Sequence, residues 1–254
     1  MGEVYGNYLL QSAGEIGAGA FGCVEKIDLY NSSGVYCGEY ARKFFALKND
    51  NALFYDLRRR FVREAEYQES CRHLNIAHIY MYNLRSDRPW YLMGYAPEDL
   101  KSVISRRISG LEKIDAMRQV LSGVSYMHSR DLLHRDIKPG NILRSGDGIY
   151  KVSDFGLVKN YNPDAESECL TRFAMSMGTP GYKAPEVEAG VYTFATDVYA
   201  LGAVMEDLRI EDDYPDFSVV FKKATSKRPI DRYQTAADML TAFNEVASSV
   251  EEIF

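Results

Sequence analysis

Apolar and polar residues alternate in short runs through the first third of the chain, as they do in β-strands. Residues 24–29 follow the two-residue period of a half-buried strand. The turn-forming residues 31–34 come next, and residues 40–47 are predicted to return as the partner strand of a hairpin. Two more strands are predicted at residues 79–84 and 90–95. This part of the chain is therefore expected to form a small sheet.

The spacing of apolar residues becomes helical after Pro97. Two stretches each place apolar side chains along one helix face, which should be buried. These residues are Ile114, Met117, Val120, Leu121, Val124 and Met127 in the first stretch, and Ala236, Met239, Leu240, Phe243 and Val246 in the second. Thr235 and Asp238 have the spacing of a capping pair at the start of the second helix. A charged stretch at residues 56–72 predicts one helix before Pro97 as well.

The change in pattern predicts an α+β fold with two parts. A strand-rich part covers residues 8–93, a connection lies at residues 94–97, and a mainly helical part covers residues 98–250. No low-complexity linker and no internal repeat interrupts the chain. Small ligands usually bind in clefts between such parts, so the connection marks where a ligand site is expected.

Composition narrows the class of protein. The chain has 254 residues and a net charge of −6, which argues against a general nucleic-acid binder or a binder of anionic membranes. The widely spaced cysteines suggest neither a disulfide framework nor a zinc site, so a reducing compartment is expected. The start of the chain lacks the features of a signal peptide, and no apolar run approaches the length of a membrane span. We therefore expect a soluble, cytoplasmic protein, with delivery into a host cell as an open alternative.

Three motifs stand in a fixed order in the second half of the chain. They are HRDIKPGN at residues 134–141, DFG at residues 154–156 and APE at residues 184–186. A glycine-rich run lies upstream at residues 17–22. Its spacing alone is weak evidence, because dinucleotide-binding folds have the same spacing. In those folds a helix follows the glycines, whereas in this chain a strand pattern follows them. As an ordered set, the motifs resemble those of eukaryotic-type (Hanks-type) serine/threonine protein kinases, and bacterial members in particular.

The resemblance covers residues 8–246 and implies a bilobal protein-kinase fold. A small lobe would contain an antiparallel sheet and one main helix, and a larger lobe would be mainly helical. We treat residues 1–254 as a single, minimal kinase domain. The implied activity is transfer of the γ-phosphoryl group of ATP, with Mg²⁺, to Ser or Thr hydroxyls of protein substrates. The sequence names neither the substrate nor an oligomeric state.

The resemblance assigns the chemistry to the second and third motifs. Asp136 is expected to act as the base that accepts or orients the substrate hydroxyl, and Lys138 to neutralise charge on the γ-phosphate. Asn141 and Asp154 are expected to hold Mg²⁺, which prefers oxygen ligands. Lys138 and Thr179 also match the serine/threonine form of the family rather than the tyrosine form.

A lysine on the second strand of the predicted hairpin is expected to hold the α- and β-phosphates of ATP. This residue is Lys43, and Glu64 on the charged helix is its expected partner. Glu66 and Glu69 are competing candidates that we expect to face solvent. Four residues after Glu64 the family usually places an apolar side chain, whereas this chain has Gln68, so the stability of the active helix position is an open question.

The nucleotide pocket is expected to use backbone groups and apolar side chains from several strands. Met93 would be the gatekeeper at its back, and the backbone of Gly94 and Ala96 would bind adenine. The full set of expected ATP-binding residues is Gly17, Ala18, Gly19, Gly22, Val24, Ala41, Lys43, Met93, Gly94, Ala96 and Leu143.

Regulation is expected to involve the segment between the DFG and APE motifs. In this family the arginine at the position of Arg135 commonly pairs with a phosphorylated residue of that segment. Thr171 and Ser176 are our candidates for autophosphorylation.

Two buried contacts are implied in the second half of the chain. Glu186 is expected to pair with Arg232, and Asp197 to bind the backbone of the catalytic loop.

Residues 205–227 are shorter and more acidic than the family pattern, so a docking surface there is reduced or remodelled. A pseudokinase-like binding scaffold is the main alternative to an active enzyme. A kinase that phosphorylates a small molecule is a further alternative. Such enzymes use a similar set of Lys, Asp and Asn residues, but they lack the DFG-to-APE segment found in this chain.

Overall fold

The chain forms two units in a computed structural model. The first unit consists of Met1–Arg72 and Ala77–Pro97, and the second of His73–Ile76 and Glu98–Phe254. The structure describes residues 2–18, 22–47, 53–160 and 179–251.

The first unit contains a six-stranded antiparallel sheet with the order β1-β2-β3-β4-β6-β5. Its strands are β1 (Glu3–Tyr5), β2 (Tyr8–Ala18), β3 (Gly22–Asn31), β4 (Tyr36–Phe45), β5 (Ile79–Asn83) and β6 (Trp90–Gly94). The strands predicted from alternation are confirmed. Leu10, Ile27, Leu29, Trp90 and Leu92 form the buried core of this sheet.

The turn between β3 and β4 is tightened by one asparagine. Asn31 Oδ1 accepts hydrogen bonds from the backbone N–H groups of Ser33 (3.0 Å) and Val35 (2.9 Å). Such a side-chain bond reverses the chain within a few residues, so β4 begins at Tyr36. The prediction placed this strand at residues 40–47 and was wrong about its ends, because the polar and glycine residues at its start hide the alternation.

One helix, α1 (Phe54–Ser70), belongs to the first unit. Its buried face carries two polar residues, Glu64 and Gln68, beside Phe61 and Ala65. A buried glutamate and glutamine one turn apart are unusual on a core face, since buried polar groups need partners. This helix therefore has a role beyond packing.

The second unit is mainly helical. Its helices are α2 (Leu100–Ser105), α3 (Gly110–His128), α4 (Phe194–Leu208), α5 (Ile210–Asp213), α6 (Ser218–Ala224) and α7 (Ala236–Glu251). Short strands β7 (Glu98–Asp99), β9 (Ile142–Arg144) and β10 (Tyr150–Val152) form one small sheet, and β8 (Leu132–Leu133) pairs with β11 (Lys159–Asn160). The α+β architecture expected from the sequence is confirmed.

The predicted apolar stripes are the core of this helical unit. All six stripe residues of α3 are buried, and α7 buries Ala236, Met239 and Phe243, with Leu240 and Val246 partly covered. The capping pair is confirmed, because Asp238 N donates to Thr235 Oγ1 (3.2 Å) and Thr235 N donates back to Asp238 Oδ2 (2.9 Å). Within the described ranges, no helix is both long enough and apolar enough to cross a membrane.

Candidate active site

A lysine–glutamate pair connects the sheet and the helix of the first unit. Lys43 lies on β4, and its Nζ is 2.5 Å from Oε1 of Glu64 on α1. Tyr91 on the neighbouring strand β6 donates its hydroxyl to the same oxygen at 2.6 Å. The Glu64 side chain is 7% exposed, so its charge needs these two donors. Of the competing candidates, Glu66 is exposed and Glu69 pairs with Arg72 at the surface.

The predicted nucleotide-site residues of the first unit lie on adjacent strands. In the register of the sheet, Gly17 on β2 pairs with Val24 on β3, and Ala41 on β4 pairs with Met93 on β6. Ala41 and Met93 are both buried. Gly94 ends β6, Ala96 follows it, and Ala18 ends β2. Gly19 lies outside the described residues, and Leu143 belongs to the second unit on β9.

Gly22 is required by packing as well as by its place in the glycine-rich run. A Cβ at this position would lie 2.8 Å from the backbone oxygen of Phe44, and that oxygen cannot move away like a flexible side chain. At Gly17 the nearest atom would be Val24 Cβ, at an ordinary 3.9 Å. The two glycines therefore differ in how much substitution they tolerate.

In the second unit, the carboxylate of Asp136 is held by three side chains. Lys138 Nζ donates to Oδ2 at 2.8 Å, and Asn141 Nδ2 donates to the same oxygen at 3.0 Å. Thr179 Oγ1 contacts Oδ1 at 3.3 Å and accepts from Lys138 Nζ at 3.0 Å. Donors on both oxygens fix the carboxylate plane, so Asp136 has one orientation at its partly exposed position.

Asn141 and Asp154 are brought to the same end of a short hairpin. Ile142 on β9 pairs with Val152 on β10, so the residues before β9 and after β10 leave the ladder together. Ser153 strengthens this end, because its backbone N–H and its hydroxyl both donate to Asn141 O (2.9 and 3.0 Å). Asp154 follows with φ = 62°, in the left-handed region.

These two residues fit Mg²⁺ by the chemistry of their donors. The amide nitrogen of Asn141 faces Asp136 O and Oδ2, which turns its carbonyl oxygen away from Asp136. An amide oxygen and a carboxylate are hard ligands, and Mg²⁺ usually takes one or two carboxylates together with waters and phosphates. Among the described residues there is no cluster of three or more His, Cys, Asp or Glu side chains suited to a metal.

Asp197 at the start of α4 holds the backbone of the loop that carries Asp136. Its Oδ2 accepts from His134 N at 2.8 Å and its Oδ1 from Arg135 N at 2.9 Å. His128 Nε2 is 3.1 Å from Oδ2, while its Nδ1 accepts from Ala236 N at 3.0 Å, so Nε2 carries the proton. Burial raises the pKa of Asp197, but the hydrogen bonds from His128 and from the backbone N–H of Arg135 more than offset it, so the pKa of Asp197 lies below its ordinary value.

Arg135 adopts a left-handed backbone conformation with φ = 66°. Its Nε donates to Leu157 O at 2.5 Å, and its guanidinium lies 5.1 Å from the centre of the Tyr192 ring. A flat guanidinium stacks favourably on an aromatic face. Thr171 and Ser176, the predicted phosphorylation sites, lie outside the described residues.

The pair expected from the APE motif is formed. Arg232 Nη1 and Nη2 donate to Glu186 Oε1 and Oε2 at 2.7 and 2.8 Å, and the arginine side chain is fully buried. Its role is structural, because the pair joins the 3-10 turn Pro185–Ala189 to the loop before α7.

Sequence reasoning missed three side chains that support these groups: Tyr91, His128 and Tyr192. Tyr91 lies two residues before Met93, and the two-residue strand period that puts both on one face of β6 was an available signal. His128 lies in the last turn of α3, one residue beyond the apolar stripe, and nothing in its local pattern points to Asp197. Tyr192 lies between elements and carries no periodic signal.

Two of these features match the kinase motifs of the sequence: a largely buried Lys–Glu pair on a strand and a helix of the first unit, and a loop of the second unit that presents an oriented aspartate beside a lysine and an asparagine. The family model described as "Protein kinase domain" matches residues 10–247. The chain belongs to the protein kinase family.

The similar proteins include serine/threonine-protein kinases from bacteria and animals. The chain is 32% identical to PrkC of Bacillus subtilis over 228 residues, which are 77% of this chain and 34% of that protein. It is 41% identical to PknA of Corynebacterium glutamicum over 112 residues, 44% of this chain and 20% of that protein. It is 30% identical to STK11 of Rattus norvegicus over 156 residues, 58% of this chain and 35% of that protein. The chain thus spans about a third or less of the length of these relatives.

Proposed function

We propose that this chain transfers the γ-phosphoryl group of ATP to Ser or Thr hydroxyls of a protein substrate. The observation that carries the proposal is the fixed carboxylate of Asp136, with Lys138 and Asn141 on one oxygen and Thr179 at the other. Phosphoryl transfer depends on positioning and electrostatic stabilisation more than on covalent chemistry. An aspartate locked by three partners is suited to that task.

Asp136 orients the attacking hydroxyl and takes up its proton as the hydroxyl oxygen bonds to the γ-phosphorus of ATP, while the bond from that phosphorus to the bridging oxygen breaks and ADP leaves. Its Oδ1 is the less occupied oxygen, since Thr179 contacts it at 3.3 Å while two nitrogens bind Oδ2. Lys138 supplies positive charge next to this carboxylate for the transferred group. Its contact with Thr179 keeps the ammonium group beside Asp136.

Lys43 binds the α- and β-phosphates of ATP in this proposal, and Glu64 and Tyr91 keep its ammonium group in position. The adenine ring uses the backbone of Gly94 and Ala96, with Met93 at the back of the pocket. A compact ammonium charge suits phosphate oxygens, and the ion pair with the buried glutamate restricts the movement of the Lys43 ammonium group.

Asn141 and Asp154 are the residues that would hold Mg²⁺. When bound, the ion neutralises the charge of the phosphates. The chain's own contribution is to fix the two ligands at one end of the hairpin, through the bonds from Ser153 to Asn141 O.

We also propose that phosphorylation at Thr171 or Ser176 regulates the enzyme. Arg135 supports this idea, because it directly precedes the proposed base and carries a guanidinium able to form a bidentate contact with a phosphate. Mass spectrometry of active protein in which neither residue is modified would count against this part of the proposal.

The test compares wild-type protein with Asp136→Asn in labelled ATP and Mg²⁺, followed by mapping of the labelled residues. Asp131→Asn is the matched control, because Asp131 is exposed and its φ of 58° suits asparagine. We expect label on Ser or Thr in the wild type and in the control, and a loss of at least about 100-fold in Asp136→Asn. Wild-type rates in Asp136→Asn contradict the proposal. Binding of ATP without any transfer by the wild type supports the scaffold alternative.

A further inference from the structure

A pocket of about 450 Å³ opens beside the catalytic loop, within the second unit. Its walls include Lys101 and Ile104 of α2, Lys138 and Gly140 of the catalytic loop, and Tyr182 and Asp207. The volume lies in the range of ligand sites and easily takes one amino acid side chain. Since Lys138 binds Asp136 directly, a side chain in this pocket belongs to a residue close to the phosphoacceptor hydroxyl.

Two of the three charged side chains in the pocket are already committed to neighbours. Lys138 Nζ pairs with Asp136 at 2.8 Å. Asp207 Oδ2 accepts a hydrogen bond from the hydroxyl of Tyr182. Burial and this hydrogen bond raise the pKa of Tyr182 far above its ordinary value, so the hydroxyl stays protonated and remains a donor to Asp207.

The remaining charge is Lys101. It is exposed in the first turn of α2, and it makes no hydrogen bond or ion pair with another residue that the structure describes. Its neighbour Asp99 forms no ion pair with it in the described part of the chain, and Asp99 Oδ1 instead caps the helix by accepting from Ser102 N (2.8 Å) and Ser102 Oγ (2.7 Å).

The pocket also has free space next to the catalytic loop. Among the described residues, a Cβ built at Gly140 meets just one atom within 4 Å, Asp99 Oδ2 at 3.9 Å. The glycine therefore leaves room that any other residue would partly fill. Ile104 and the ring of Tyr182 give this space an apolar wall.

We propose that this pocket receives an acidic side chain of the protein substrate, whose carboxylate pairs with Lys101 while its methylene groups pack on Ile104 and Tyr182. The inference rests on the proposed kinase activity and names a substrate class for it: proteins with Glu or Asp near the phosphorylated Ser or Thr. The net charge of −6 opposes an acidic partner at long range, so the preference is a short-range effect of Lys101.

The experiment measures kcat and KM for peptides with a fixed central serine, in which each flanking position in turn is Glu, Ala or Lys. We expect Glu at one or two positions to raise kcat/KM about two- to five-fold over Ala, the effect of an exposed ion pair, chiefly through KM. Lys101→Glu should reverse the preference toward Lys. Lys222→Glu is the control, since Lys222 is exposed on α6 and the change in net charge is the same.

Equal rates for the three peptide series, or a wild-type preference for Lys through Asp207, overturn the inference while leaving the kinase activity intact. A preference for Glu that survives Lys101→Glu, or is lost equally in Lys222→Glu, also overturns it. Self-labelling of the protein without transfer to any peptide counts against the pocket as a substrate site. Absence of all transfer, including self-labelling, refutes the proposed function itself.

Discussion

Replacement of Arg232 by lysine should strongly destabilise the second unit. The buried guanidinium uses all five of its N–H groups, and its acceptors are Glu186 Oε1 (2.7 Å), Glu186 Oε2 (2.8 Å), Ala195 O (2.9 Å), Ser226 O (2.7 Å) and Lys227 O (3.1 Å). A lysine has three donors on one nitrogen and cannot reach acceptors spread around a planar fork. At least two buried acceptors are therefore left without a donor.

The expected cost follows from those lost bonds. Two unsatisfied buried acceptors at about 1–3 kcal/mol each give about 2–6 kcal/mol. For a chain of this size, 1 kcal/mol corresponds to about 2–4 °C, so the midpoint of thermal unfolding should fall by about 4–24 °C.

Thermal and urea unfolding, followed by circular dichroism, measure this change. Arg228→Lys is the matched control, because Arg228 makes a 3.3 Å surface pair with Asp231 and its side chain is 72% exposed. We expect the control to change stability by less than about 0.5 kcal/mol. A midpoint for Arg232→Lys within about 2 °C of the wild type would refute the reasoning, since it would mean that the five hydrogen bonds add nothing beyond a single charge contact.

The acid side of the stability curve tests the same pair. Burial raises the pKa of Glu186, but the hydrogen bonds and charge of Arg232 hold it below its ordinary value. A depressed carboxyl pKa stabilises the folded state at neutral pH, and that contribution is lost as the pH falls through the folded-state pKa. Glu186→Gln should therefore be less stable than the wild type at pH 7, with the gap closing below about pH 4. A gap that stays constant down to pH 2 contradicts this assignment.

Three further predictions concern activity and the sheet. Lys43→Ala should lower phosphoryl transfer by at least about 100-fold while the circular dichroism spectrum is kept; a wild-type rate would remove Lys43 from the site. Tyr192→Leu should lower kcat of dephosphorylated protein several-fold by releasing Arg135, whereas Tyr192→Phe keeps the stacked ring and the rate; equal rates for both variants would show that the ring does not matter. Gly22→Ala should destabilise the protein by about 1–3 kcal/mol through its clash with the next strand, and Gly17→Ala by clearly less; equal thermal shifts would contradict the packing argument.

The sequence predicted the elements whose pattern is local. The apolar stripe of α3 and the strands around Lys43 depend on spacing within a few residues, and a helix or strand period exposes it directly. The turn at residues 31–34 was predicted, but the start of β4 at Tyr36 was missed because Gly38 and Glu39 hide the alternation of apolar and polar residues there.

Contacts between the site and residues distant in the sequence could not be predicted from local sequence patterns. His128 contacts Asp197 and Ala236, which are 69 and 108 residues away in the sequence. A histidine in the last turn of a helix suggests a positive charge that stabilises the helix end. In the structure, His128 is instead a neutral ring that forms hydrogen bonds with both Asp197 and the backbone of Ala236. The resemblance to the family predicted the role of Asp197, but its partner His128 could be identified only from the structure.

Gln68 shows how a departure from a family pattern acquires physical meaning. It is fully buried, and its Nε2 donates to Ala77 O at 2.8 Å, one turn after Glu64 on α1. Its Oε1 is buried without a hydrogen-bond partner among the described residues. An unsatisfied buried acceptor costs about 1–3 kcal/mol, so the glutamine ties α1 to the start of the neighbouring strand segment at a price in stability. The sequence identified the position, and the structure supplies the bond.

The buried polar side chains of the second unit share one function, which is to hold the main chain where no ladder does. Asp197 binds two backbone N–H groups of the catalytic loop, Asn141 binds the backbone oxygen of Asp136, and Arg232 binds three carbonyl groups. Arg135, one of the two loop residues held by Asp197, has a positive φ that an unsupported chain rarely adopts. The shape of the loop therefore depends on side chains distant in sequence. Substitutions that keep charge but change geometry, such as lysine for arginine, should be as damaging there as substitutions that remove the charge.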